Sequence, residues 1–163
     1  MADSSLGPDE LSHLRRCVAL AAEAVEAGDA PFGSVLVDRK GTVLQEERNR
    51  IVTQNDSTRH PEFDLARWAA ANMSASERAG ATVYTSGEHC PMCSAAHAWV
   101  GLGRIVYVAS AAQLVEWQSS WGLPKSSVAP LPAEQVAPQV KVEGPVPELE
   151  DDIRALHRKH AGV

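Results

Sequence analysis

Two short motifs constrain this chain more than any other feature: His60-Pro61-Glu62 and, further along, Cys90-Pro91-Met92-Cys93. Together they offer one imidazole, two thiols and one additional carboxylate. Imidazole nitrogen and thiolate sulfur are preferred ligands of Zn²⁺, and a site with three protein ligands leaves one coordination position open for water, as catalytic zinc sites do. The sequence therefore predicts a catalytic zinc site, with Glu62 placed to transfer protons rather than to bind the metal.

The prolines in both motifs predict how the ligands are presented. Proline is favoured in the first turn of a helix because its missing N–H costs nothing there, so Pro61 and Pro91 each predict a helix start. Cys90 and Cys93 would then lie one turn apart on the same helical face. The positive end of the helix dipole favours the thiolate form of both cysteines.

Hydrophobic periodicity around the motifs predicts alternating helices and strands. A strand, a helix that carries the cysteines and a second strand follow one another over residues 81–109, an order typical of an α/β fold with a right-handed crossover. The metal-binding loop then lies just beyond the carboxyl end of a strand, where open sheets bind their ligands. The predicted elements are a helix over 9–27, a hairpin over 34–37 and 42–45, a helix from 61, strands over 81–85 and 105–109, the cysteine helix to about 102, a proline-rich loop over 122–138, an edge strand over 139–143 and a helix over 147–160.

The H-x-E and C-x-x-C motifs resemble the signature of the zinc-dependent cytidine deaminase superfamily. Further matching segments extend the resemblance over about residues 10–120, and the chain is most similar to the nucleobase branch, the guanine deaminase-like proteins. These segments are Ala30–Val37, Asn49, Asn55–Thr58 and Arg104–Tyr107. The resemblance implies a three-layer α/β/α sandwich with a mixed central sheet of about five strands. It further implies a C-terminal extension over 122–163 that covers the active site, and a homodimer. The length of 163 residues predicts a single domain over 1–163.

The resemblance also implies roles for individual residues. Glu62 would move protons between water, the ring nitrogen of the substrate and the leaving ammonia. Asn49 would hydrogen-bond the edge of the base, and Phe32 would line the pocket. The ligands of one Zn²⁺ per subunit would be His60, Cys90 and Cys93.

Three departures from the family pattern concern the substrate rather than the metal. Pro61 lacks the backbone N–H that relatives can donate to the bound ring. His89 stands where proline usually precedes the first cysteine, which brings a titratable imidazole beside the metal or the substrate. Guanine deaminases carry an acidic residue in the segment that matches 113–121, where Glu116 is the candidate and Trp121 offers a flat aromatic surface. All four residues are predicted substrate contacts.

Composition narrows the class of function. The formal net charge is −6, and the basic residues form no cluster of the kind that binds a nucleic-acid backbone. No apolar run approaches the roughly 20 residues of a membrane span. Met1-Ala2-Asp3-Ser4-Ser5 lacks the basic and apolar character of a secretory signal, so we expect a cytoplasmic protein. With only three cysteines, two of them in the proposed site, a disulfide framework is not expected.

These observations predict a zinc-dependent aminohydrolase that removes an amino group from a free nucleobase or related heterocycle and releases ammonia. Guanine, cytosine, a modified purine and a triazine all remain open as substrates. Two alternatives remain. One is a tRNA adenosine deaminase, and the other is a non-catalytic structural zinc module, which requires four protein ligands.

Overall fold

A computed structural model describes residues 6–163. The expectation of no secretory signal rests on Met1–Ser5, which lie outside the described residues. These residues form the helices α1 to α7, the strands β1 to β5 and one short 3₁₀ helix, and every predicted helix and strand is among them. Their bounds are α1 Pro8–Glu26, β1 Gly33–Val37, β2 Val43–Arg48, α2 Pro61–Asn72, α3 Ala75–Ala79, β3 Thr82–Gly87, α4 Pro91–Trp99, β4 Arg104–Ala109, α5 Ala111–Ser120, α6 Ala133–Val136, β5 Val142–Glu143, the 3₁₀ helix Pro147–Leu149 and α7 Glu150–Ala161.

The strands form one mixed sheet of five strands in the order β2-β1-β3-β4-β5. β1 runs antiparallel to both of its neighbours, β2 and β3, whereas β3, β4 and β5 are parallel to one another. Ser34 of β1 lies opposite Thr85 of β3, and Thr85 is also in register with Tyr107 of β4. The carboxyl ends of β3 and β4 therefore point to the same edge of the sheet, and the cysteine loop follows β3 at that edge.

Helices cover both faces of the sheet. Successive strand residues point to opposite faces, and in β1 Val35 belongs to one apolar core while Leu36 belongs to the other. The first core includes residues of α1, α5 and α7, and the second includes residues of α2 and α4. The molecule is thus a three-layer α/β/α sandwich, as predicted.

The structure adds helices that hydrophobic periodicity did not predict. α3 and α5 each begin with a capping box, in which Ser74 pairs with Glu77 and Ser110 pairs with Gln113. A serine followed three residues later by Glu or Gln is a recognised helix-start signal, so both helices could have been predicted from sequence. The loop predicted over 122–138 contains the short helix α6. None of the helices between residues 6 and 163 combines the length and the apolar character needed to cross a membrane.

Candidate active site

The predicted metal ligands come together in space. One donor atom from each of His60, Cys90 and Cys93 can be chosen so that all lie within 4.8 Å of one another. The Nδ1 atom of His60 is 3.6 Å from the Sγ atom of Cys90 and also 3.6 Å from that of Cys93. Residues from two separate helices therefore form one compact donor group.

Helix starts hold these donors in place. His60 is the residue before the first turn of α2, and Cys90 is the residue before the first turn of α4; both have extended backbone conformations. Pro61 and Pro91 occupy the first helical positions, where the fixed φ of proline suits the helix. Because α2 and α4 pack against each other, their amino ends converge on the same point.

The donor group fits a zinc ion in chemistry and in spacing. Zn–N bonds of about 2.0 Å and Zn–S bonds of about 2.3 Å at a tetrahedral angle require N and S to lie about 3.5 Å apart. Both nitrogen–sulfur distances in the structure are 3.6 Å, close to this value. Within residues 6–163, the group contains only three ligands, the number typical of catalytic rather than structural zinc.

The two thiols differ in acidity. The hydrogen bond with Cys93, supported by one with His60, lowers the pKa of Cys90 to about 4. The hydrogen bond with Cys90 and burial raise the pKa of Cys93. The lowered pKa of Cys90 makes a thiolate available for a metal at neutral pH.

Glu62 lies in the first turn of α2, two residues beyond His60, and only 5% of its surface is exposed. Its Oε1 accepts hydrogen bonds from Thr85 Oγ1 at 2.9 Å and from Ser34 Oγ at 3.2 Å. These hydroxyls come from directly opposed positions on β3 and β1. Burial raises the pKa of Glu62, which brings a carboxylate closer to the range needed for proton transfer at neutral pH.

These groups open into a small cavity of about 160 Å³. His60, Glu62 and Cys90 supply its polar end, and Phe32 is one of its apolar walls. The remaining walls come from the residue after β3, from the start of α4, from α5 and from the segment that follows α5. They are Glu88, Pro91, Ala111, Leu114, Val115, Gln118, Ser126, Val128, Ala129, Pro130 and Leu131.

Phe32 is the one predicted substrate contact outside the catalytic group that lines this cavity. Asn49 is buried next to Phe32. Its backbone N–H donates to the carbonyl oxygen of Phe32 at 3.0 Å, and its Oδ1 accepts from the N–H of Ile51 at 3.1 Å. Pro61 is buried at the start of α2 and does not itself line the cavity. Neither Asn49 nor Pro61 is among the residues that line the cavity, and their contacts with a base stay predictions.

The structure does not bring the other three predicted contacts to the cavity. His89 is fully buried, and its ring packs edge-on against His97 at a centroid distance of 5.3 Å. Glu116 is exposed on α5, and Trp121 packs against the core at the end of that helix. Gln118 lines the cavity instead of Glu116, because residues two apart on a helix point in different directions.

A known protein family matches the part of the chain that contains the metal-binding candidates. The family described as the cytidine and deoxycytidylate deaminase zinc-binding region matches residues 8–109, which include all three metal-binding candidates and Glu62. The chain belongs to this family. The predicted membership in a family of zinc-dependent deaminases, the α/β fold and the zinc cofactor are thereby confirmed.

Relatives within the deaminase family have names that point to small bases. Guanine deaminase of Bacillus subtilis is 39% identical over 97 residues, which are 59% of this chain and 62% of that enzyme, somewhat less than two thirds of its length. A probable cytosine deaminase of Schizosaccharomyces pombe is 30% identical over 156 residues, 90% of this chain and 94% of that protein. The solved guanine deaminase of Nitrosomonas europaea shares the fold, with a TM-score of 0.71, 19% identity and coverage of 96% of this chain and 86% of that one. Several tRNA-specific adenosine deaminases also match, over little more than half of this chain.

A buried carboxylate that the sequence motifs did not reveal supports one wall of this deaminase site. Asp29 has no exposed surface, and its two oxygens accept hydrogen bonds from the N–H groups of Val52 and Thr53, from the Thr53 hydroxyl and from Arg48. Burial alone would raise the pKa of Asp29, but these hydrogen bonds together hold it below its usual value. The network fixes the turn that contains Asn49.

Proposed function

We propose that this chain hydrolyses the exocyclic amino group of a free nucleobase or a closely related amino-heterocycle, with release of ammonia. The supporting observation is the juxtaposition of the three zinc-binding candidates and the buried Glu62 at one end of a single small cavity. The names of the guanine and cytosine deaminase relatives support the same chemistry. In the net reaction one water is consumed, the carbon–nitrogen bond breaks, and a carbonyl replaces the amino group.

The residues of the chain have separate tasks in this proposal. Zinc held by His60, Cys90 and Cys93 would supply a Lewis acid that makes water nucleophilic at neutral pH. Glu62 accepts one proton from the attacking water and delivers it to the ring nitrogen. It then accepts the second proton, from the hydroxyl group on the attacked carbon, and delivers it to the leaving amine. Thr85 and Ser34 both contact Oε1, so they hold the carboxylate in one orientation during these transfers.

The size of the cavity supports a free base as substrate. Its volume of about 160 Å³ is far below the roughly 300–1,000 Å³ of pockets for drug-sized ligands. A flat ring can lie against Phe32 and the apolar side chains of Leu114 and Val115.

The C-terminal extension over 122–163 is proposed to cover the bound base, within a single domain over 1–163. Val128 and Leu131 of this extension line the cavity, although both side chains are partly exposed to solvent. Further on, His157 of α7 packs edge-on against Phe32 at a centroid distance of 5.1 Å. Two parts of the extension thus contact the proposed substrate region.

Two alternatives are less well supported. The net charge of −6 disfavours a tRNA adenosine deaminase, since binding to a phosphate backbone depends on basic residues that displace counterions. The measurement that separates it is tRNA binding at low salt, which we expect to be absent. A structural zinc module requires a fourth protein ligand, whereas the donor group within residues 6–163 has three.

We also propose a homodimer and a cytoplasmic location. Trp99 at the end of α4 is 86% exposed, so a partner subunit that packs against this helix end would bury a large apolar side chain. Sedimentation analysis of the wild type and of Trp99→Glu tests this proposal. We expect the wild type to sediment as a dimer and the variant to shift toward monomer.

Ammonia release over a panel of aminopurines, aminopyrimidines and aminotriazines tests the proposed activity, with the corresponding nucleosides as controls. We expect turnover of at least one free base, loss of turnover when a chelator removes the metal, and recovery when zinc is added. If only nucleosides react, the assignment to free bases is wrong. Activity that survives complete metal removal contradicts the role of zinc.

A further inference from the structure

Glu88 joins the metal-binding loop to two other parts of the chain. It follows β3 directly, stands two residues before Cys90 and lines the cavity. Its Oε1 accepts a hydrogen bond from the backbone N–H of Ala111 at 2.9 Å, and its Oε2 accepts one from the backbone N–H of Ala133 at 2.7 Å. Its own backbone N–H donates to the carbonyl oxygen of Ala109 at 2.8 Å.

The two N–H donors lie on either side of the segment that closes the cavity. Ala111 is the first residue of α5 and Ala133 is the first residue of α6. The covering segment, defined here as residues 122–132, joins these helices and contributes several residues to the cavity wall. One carboxylate therefore connects the catalytic loop to the helices that bound the covering segment.

The hydrogen bonds that the described residues of the covering segment donate join residues close together in sequence. Leu123 donates to the carbonyl oxygen of Gln118, Val128 donates to the hydroxyl of Ser126, and Leu131 donates to the carbonyl oxygen of Ala129. Such contacts shape the segment but do not set its distance from the metal-binding loop. The bond between Glu88 and Ala133 ties the end of the segment to the metal-binding loop, because it joins residues 45 apart in sequence.

We propose that Glu88 is a positioning residue that holds the covering segment over the substrate. This inference rests on the proposed function for its kinetic consequences, and on the hydrogen bonds alone for its structural ones. Glu88 acts through the position of the covering segment and does not exchange protons with the substrate. Its loss therefore weakens substrate binding while the zinc-binding residues and Glu62 remain in place.

Glu88→Gln is the sharpest variant, because it preserves size and one acceptor oxygen. The side-chain nitrogen of the glutamine only donates. It cannot accept from the backbone N–H group that it faces, so one of the two hydrogen bonds is lost. Ala133→Pro removes the N–H group that donates to Glu88 Oε2, because proline has no N–H. Proline is well tolerated at a first helical position. Glu134→Gln is the matched control: it removes the same charge next to Ala133, and Glu134 is exposed.

Hydrogen exchange on the zinc-loaded full chain is the first measurement. We expect peptides covering 122–136 to exchange about ten to a hundred times faster in Glu88→Gln and in Ala133→Pro, the factor that corresponds to one hydrogen bond to a charged acceptor. Glu134→Gln should match the wild type. Unchanged exchange in both test variants overturns the proposal.

Steady-state kinetics on the best free base provides the second measurement. In Glu88→Gln we expect KM to rise about tenfold and kcat to change by less than about threefold, with bound zinc unchanged. Loss of zinc, or a fall in kcat with KM unchanged, assigns Glu88 to the catalytic group and overturns the proposal. If the wild type deaminates no free base, the proposed function fails, while the exchange measurement still decides the role of Glu88.

Discussion

The two ends of the cavity are built in different ways. The metal end consists of helix starts and strand residues inside the packed sandwich, where Glu62 and Cys93 are almost completely buried. The opposite wall consists of α5 and the covering segment, where Val128 is 52% exposed and Leu131 is 40% exposed. Groups that carry out chemistry require a rigid setting, whereas loops on a rigid scaffold are the usual place for substrate selection. We infer that the first wall determines the reaction and the second determines the base.

Replacement of Glu62 tests the metal end and should have the largest effect. Glu62→Gln keeps the size of the side chain but cannot accept a proton, so we expect kcat to fall by about 10²- to 10⁴-fold. Zinc content should stay at the wild-type level, because Glu62 is not among the donor atoms of the metal group. Ammonia release and metal analysis on the same preparation provide both measurements.

Glu148→Gln provides the control for this change, since Glu148 is exposed on the 3₁₀ helix before α7. Its kcat should equal that of the wild type. Full activity in Glu62→Gln would mean that another group transfers the protons. The inference that the metal end of the cavity determines the reaction would then be wrong.

The same contrast explains which features the sequence could predict. The metal group depends on local signals: a C-x-x-C spacing of one helical turn, and prolines that start α2 and α4. Such signals need no knowledge of distant residues. The network around Asp29 and the bonds of Glu88 to Ala111 and Ala133 join positions far apart in sequence, and no periodic pattern marks them.

The position of Glu116 outside the cavity wall has a different physical origin. The family resemblance favoured Glu116 because it is the acidic residue of the segment 113–121, and a sequence does not indicate which face of α5 is turned inward. Burial of Trp117 in the first core determines the orientation of this helix. That packing depends on α1 and α7, and so it became apparent only in three dimensions.

Removal of Asp29 tests how firmly the rigid wall is held and should have the next largest effect. Asp29→Ala leaves Arg48 without its buried partner, and we expect a loss of about 3 kcal/mol in the free energy of unfolding at neutral pH. KM should also rise, because the turn that holds Asn49 beside Phe32 loses its anchor. Urea unfolding and base kinetics measure the two effects, with Asp9→Ala, at an exposed position, as control.

The pH dependence of this difference provides an independent check. The folded protein lowers the pKa of Asp29, since hydrogen bonds from Thr53, Arg48 and Val52 outweigh the opposing effect of burial. Its contribution is therefore fully present above the unfolded pKa of about 4 and is lost as pH falls through the lower folded value. The stability difference between the wild type and Asp29→Ala should thus shrink as the pH falls below about 5. A constant difference would contradict a charged role for Asp29.

Gln118→Glu tests selection by the other wall, with an intermediate effect. A glutamine amide can both donate and accept, whereas a carboxylate only accepts. The change should favour guanine, which has an N–H group in the ring beside its amino group, over cytosine, whose ring nitrogen beside the amino group is an acceptor. We expect the ratio of kcat/KM for guanine to that for cytosine to rise about tenfold. Gln135→Glu, the same change at an exposed position of α6, should leave the ratio unaltered.

Leu131→Ala should have the smallest effect and addresses the covering segment alone. The side chain is partly exposed and lines the cavity, so further apolar surface becomes buried only when a base binds. At about 25 cal/mol per Å² of apolar surface, the lost contact corresponds to a rise in KM of about fivefold. Both kcat and the melting temperature should stay at wild-type values, since neither the metal end nor the core is touched. Val52→Ala, at an exposed valine outside the cavity wall, is the matched control. If KM is unchanged in Leu131→Ala, the covering segment does not contact the base, and substrate selection must lie with α5.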